Sequence, residues 1–132
     1  MSSAALFHRT MPHLTIELSS NLESHIACDS LLSEAHQVLL KSGVFDGPDI
    51  KSRVVRLSEF QIGTSAARDE GFVHARLDLL SGRSDDTRRQ LSQALVSALV
   101  GVLPNGLGFP VQVSCDVREM NRDSYSKAIH TK

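Results

Sequence analysis

The stretch that most constrains this chain is Met11-Pro12-His13-Leu14-Thr15-Ile16-Glu17-Leu18. Leu14, Ile16 and Leu18 alternate with His13, Thr15 and Glu17, the period of a half-buried strand. The strand opens on a proline, which cannot donate to a ladder and so fits at a first position. Met11 stands directly before it. If translation began at Met11 and that residue were removed, Pro12 would carry a secondary amine, a compact general base at the end of a rigid strand. Behind residues 1–10 it is a tertiary amide with no basic nitrogen.

A strand placed this early needs partners, and the rest of the chain supplies them in two similar runs. Ser19 to Ala27 is polar and turn-like. Asp29 is the expected N-cap of a helix over Ser30 to Lys41, with Leu31, Leu32, Ala35, Val38 and Leu39 as its apolar stripe and Gly43 as its stop. Ile50 to Leu57 alternates as a second strand, with Lys51, Arg53, Val55 and Leu57 on one side. The connection from Ser58 to Gly71 has room for a short hairpin or extra strand around Phe60 and Ile62.

Phe72 to Leu79 is the clearest alternating strand of the chain. Ser84 caps a long amphipathic helix, Asp85 and Asp86 complement its dipole, and Leu91, Ala94, Leu95, Ala98, Leu99 and Val102 line its apolar face. Val111, Val113, Cys115 and Val117 form a fourth strand. The polar tail from Arg118 offers Met120, Tyr125 and Ile129 as docking points.

The order is βαβ twice, over about residues 12–57 and 72–117 of a single domain spanning 11–132. The fold class is α/β (α+β), a four-stranded sheet with two right-handed crossover helices on one face. Leu, Val and Ile recur on both sides of several strands, so the second sheet face is expected to be buried against other subunits. Residues 1–10 read as an N-terminal extension, expected to be disordered, with no basic start or long apolar run to make a signal peptide.

The composition narrows the function. With 132 residues and a net charge of −1, the chain suits one soluble core and gives nucleic acid no electrostatic footing. No apolar run approaches the roughly 18 residues of a membrane span. Cys28 and Cys115 read as a reduced pair in the cytoplasm. No Ser-His-Asp spacing, CxxC pair or phosphate loop is present, and two histidines alone make a weak metal site.

Taken together, Met11-Pro12-His13 with Glu17, Ser42-Gly43-Val44-Phe45, Ile50 to Val54, Phe72-Val73-His74, and Gly82-Arg83-Ser84 with Arg88-Arg89-Gln90 resemble one family. The chain from Met11 to about Val117 is similar to the 5-carboxymethyl-2-hydroxymuconate Δ-isomerases of the tautomerase superfamily. No single segment is specific; their shared order and spacing carry the likeness. The resemblance implies a double βαβ homotrimer without metal or cofactor. It implies an isomerase that moves a proton along a small unsaturated hydroxy- or keto-dicarboxylate in aromatic catabolism.

By the same resemblance Pro12 maps onto the family's catalytic amine, and Lys51 onto a common substrate-binding arginine. Arg83 maps onto an arginine at the start of the second helix. The lysine at 51 lacks the planar bidentate fork of an arginine. Arg53 shares the strand face of Lys51 and is a further candidate for substrate binding; His13 and His74 are accessory candidates near the strand ends. A proton shift beside a carbonyl needs a base that is neutral near pH 7 and cations for the developing enolate, and these residue types supply both. Three alternatives stay open: a silent trimeric binding protein whose extension blocks Pro12, another reaction on the same proline such as dehalogenation or hydration, and a purely structural strand-start proline.

Overall fold

The computed structural model of the protein describes residues 12–64 and 69–131. The expected N-terminal extension, residues 1–10, lies outside the described residues. β1 (His13–Ser19) pairs in parallel with β2 (Lys51–Leu57), and β3 (Gly71–Leu80) in parallel with β4 (Val111–Met120). β1 and β3 run antiparallel, which gives the order β2-β1-β3-β4. α1 (Cys28–Lys41) and α2 (Asp85–Val102) are the crossovers that parallel pairing requires.

The alternation read from sequence decides which face meets the helices. Leu14, Ile16 and Leu18 of β1 and Val73, Ala75, Leu77 and Leu79 of β3 enter one core cluster. Leu31, Ala35 and Leu39 of α1, and Leu91, Leu95 and Leu99 of α2, meet them at i, i+4 spacing. Fully burying each such leucine contributes about 1.5–3 kcal/mol.

Two local signals came out differently. Ser84 caps α2 as expected, accepting from the Thr87 N–H at 3.1 Å. Asp29 does not cap α1. That helix starts at Cys28, its N-cap position is Ala27 without a side-chain bond, and Asp29 lies in the first turn. A carboxylate favours both positions, so its presence does not separate them. β3 takes in Gly71, and the described part of the connection before it carries an isolated bridge at Ile62 and no strand of its own. Phe60 there packs edge to face on Phe72, with ring centroids 6.0 Å apart.

The sheet face away from the helices also departs from expectation. By register it presents His13, Thr15 and Glu17, then Lys51 and Arg53, then His74, Arg76 and Asp78, then Ser114, Asp116 and Arg118. Apolar side chains on it are confined to its margins, such as Val55, Leu57 and Phe72. The recurrence of Leu, Val and Ile on both sides of several strands suggested two apolar faces; the centre of this one is polar. Of the tail's docking points, Tyr125 reaches β1, whereas Ile129 is 76% exposed.

Candidate active site

Topology collects one set of chain ends at one edge of the sheet. β1 and β2 begin there, β3 and β4 end there, and the segment after β4 crosses it. Pro12 is buried at this edge, and its carbonyl accepts from the Lys51 N–H at 3.2 Å. His13, the next residue, is the Cα partner of both Lys51 and Asp78.

The His13 ring is held from two sides. An Arg53 Nη2 lies 2.9 Å from Nδ1, and Tyr125 Oη lies 3.3 Å from Nε2. A guanidinium only donates, so Nδ1 must accept and the ring is neutral with its proton on Nε2, directed at the tyrosine oxygen. Burial, then the positive charges of Arg53 and Lys51, hold the His13 pKa below its ordinary value, and Asp78 opposes them.

Cations crowd the neighbouring strand. The Lys51 ammonium donates to the Asp49 carbonyl at 2.7 Å, and the Lys127 ammonium lies 3.8 Å from the Asp49 carboxylate. The Lys51 pKa is lowered, chiefly by burial and then by Lys127, against the pull of Asp49. Lys51, Arg53, Lys127 and the neutral His13 thus surround the beginning of β1.

The other named residues are placed less closely. Arg83 stands three residues beyond β3, at the same edge, in the loop that leads into α2; its carbonyl accepts from Arg88 Nη1 at 2.6 Å. His74 is not at a strand end. It sits inside the sheet opposite Glu17 and Ser114, with Nδ1 2.7 Å from Ser114 Oγ. It lies four positions from Asp78, the partner of His13, or about 13 Å along an extended strand. Sequence reasoning missed Lys127. Its one available signal was the Tyr125-x-Lys127 spacing, which puts both side chains on one side of an extended segment.

On the helix side, a groove of 330 Å³ runs between the end of α1 and the start of α2, lined by Val38, Lys41, Val44, Gln90 and Leu91 among others. It offers Lys41 as its one charged side chain, against three cations on the strand side. Recognition of an acidic ligand therefore favours the strand side. Among the described residues no three His, Cys, Asp or Glu side chains are grouped to hold a metal ion. No helix among them is long and apolar enough to cross a membrane.

Two βαβ halves on one mixed sheet, with a proline opening the first strand, define a tautomerase-like protein. Within that class the chain belongs to the 5-carboxymethyl-2-hydroxymuconate isomerase family, whose model matches residues 12–132, and it is an isomerase. The crystal structure of a 5-carboxymethyl-2-hydroxymuconate isomerase from Deinococcus radiodurans R1 is similar at 28% identity and a TM-score of 0.83, over 95% of this chain and 94% of that one. A 5-carboxymethyl-2-hydroxymuconate delta-isomerase shares 19% identity and a TM-score of 0.77 over 95% and 92% of the two chains. A fused 4-OT wild-type symmetric trimer shares the fold at 16% identity and a TM-score of 0.68, over 88% and 91%. No curated protein matches the sequence.

Proposed function

We propose that the protein shifts a proton along an unsaturated hydroxy- or keto-dicarboxylate of the 5-carboxymethyl-2-hydroxymuconate type, with Pro12 as general base once its amine is exposed. The observation that carries this reading is the convergence of Lys51, Arg53 and Lys127 on the edge where Pro12 begins β1. The neutral amine takes a proton from the substrate, and the released electron pair spreads through the conjugated system as a dienolate. The same proton returns at another carbon, so composition is unchanged. Lys51, Arg53 and Arg83 hold the carboxylates and stabilise the developing charge. Their positive charge also favours the neutral amine. His13, fixed in one tautomer, keeps Arg53 oriented.

The trimeric assembly of the fused 4-OT relative supports a homotrimer. The substrate class and two unpaired thiols support a role in the breakdown of aromatic compounds in the cytoplasm. The test is turnover of 5-carboxymethyl-2-hydroxymuconate by protein whose chain starts at Pro12, followed by ultraviolet absorbance. Arg83→Ala should lower kcat/KM about ten- to a hundredfold, the worth of a charged hydrogen bond, with an unaltered melting point. No turnover by a folded trimer would leave the silent binding protein as the reading.

A further inference from the structure

Lys51 and Lys127 approach the same aspartate from opposite directions of the chain. One ammonium donates to the main-chain carbonyl of Asp49 and the other lies 3.8 Å from its carboxylate. The Lys127 and Asp49 side chains are only 21% and 18% exposed. Two ammonium groups therefore meet at one residue, of which only Lys127 approaches the carboxylate, in a partly dehydrated place where like charges repel more strongly than in open water. Burial first, and then the neighbouring Lys127 charge, lower the Lys51 pKa.

The tail is anchored well enough to present a side chain. Arg122 Nε donates to the Ser81 carbonyl at 2.6 Å, and Tyr125 meets His13 two residues before Lys127. Nearby carboxylates do not balance the excess: Asp78 is engaged by Arg76 at 3.1 Å. An added carboxylate would relieve the repulsion and complete the hydrogen bonding of both ammonium groups.

We propose that Lys127, on the segment after β4, forms with Lys51 a two-ammonium seat for one carboxylate of the substrate. This rests on reading the edge as a carboxylate site, and it makes the C-terminal segment part of the binding surface.

The probe is trans,trans-muconate, a conjugated dicarboxylate with no enol to react, titrated calorimetrically into the full chain. Lys127→Met should weaken its binding about ten- to a hundredfold, and Lys127→Arg should restore most of it. Lys41→Met removes the same charge from the helix groove and should leave the Kd within about twofold, because salt screens charges beyond roughly 10 Å. Melting curves check that each variant folds. Wild-type binding that persists undiminished in Lys127→Met would overturn the seat while leaving the carboxylate site standing. Failure of the wild type to bind muconate at all would overturn both.

Discussion

The main-chain N–H of Lys51 donates to the carbonyl oxygen of Pro12 at 3.2 Å. This is the first rung of the parallel ladder, so the side chain at 51 is set by the same register that fixes the proline. The lysine side chain shares the sheet face of His13. Lys51→Met should therefore raise KM about ten- to a hundredfold with little change in melting temperature, since a charged contact to a carboxylate is lost and no ladder bond is. Lys51→Arg should keep most of the affinity. Steady-state kinetics on both variants checks this, and an unchanged KM in Lys51→Met would assign the residue to the solvated surface.

His13 should titrate below 6.5. Arg53 donates to its Nδ1, so protonation would set an N–H against a guanidinium. Burial and the surrounding cations lower the folded pKa. Well above about pH 6.5 neither the folded nor the unfolded state carries this proton, and the full contribution to stability is present. As pH falls, the unfolded chain takes the proton first, and the contribution is lost toward and through the folded pKa. Urea unfolding at several pH values should show a decline below pH 6.5 that is shallower in His13→Gln. An NMR titration placing His13 at or above 6.5 would refute the arrangement.

Cys115 should resist alkylation while the protein is folded. Its thiol, on the helix side of β4, is pushed up to about 12 by burial, with Asp116 adding to the effect. At pH 8 roughly one molecule in 10⁴ then carries the thiolate, about a thousandfold fewer than an ordinary thiol provides. Mass spectrometry after iodoacetamide treatment should find Cys115 unmodified in buffer and modified in urea. Rapid labelling in buffer would mean that β4 does not pack as described.

The elements were legible because hydrophobic period is a local signal: Leu14, Ile16 and Leu18, or Leu91, Leu95 and Leu99, declare their core face within a few residues. The start of α1 was less so, since Asp29 is equally at home as a cap or in a first turn. The polarity of the outer sheet face was obscured by adjacent aliphatic residues, which a period-2 reading assigns to both sides. At the site, the resemblance pointed to Lys51, and strand alternation added Arg53 on the same face. Tyr125 was legible only as a docking point and Lys127 not at all, because their place at the site depends on a return of the tail that brings Tyr125 to His13 across 112 residues. No periodicity encodes that contact. His74 is half-buried and hydrogen-bonded to Ser114, and only register shows that it lies away from the strand end that carries His13.

The final prediction separates chain chemistry from site geometry. Protein beginning at Met11 should lose that methionine and catalyse ketonisation of 2-hydroxymuconate-type enols. Protein beginning at Met1 and retaining residues 1–10 should be at least about a hundredfold slower, because a positioned base typically contributes 10²–10⁴ in rate. The two forms share Lys51, Arg53, Arg83 and Lys127, so binding of an unreactive dicarboxylate is a control that rate alone cannot give. The difference is covalent: an acylated proline nitrogen has no basic lone pair, whatever cations surround it. In the short form kcat/KM should rise with pH through one group near neutrality, the proline amine, held below an ordinary amine by the adjacent cations. Blocking the amine chemically should abolish both the rate and that titration. Equal activity in the two forms, with intact mass confirming that residues 1–10 are retained, would rule out the proline mechanism. His13 would then be the nearest side chain able to serve, and His13→Gln would decide it.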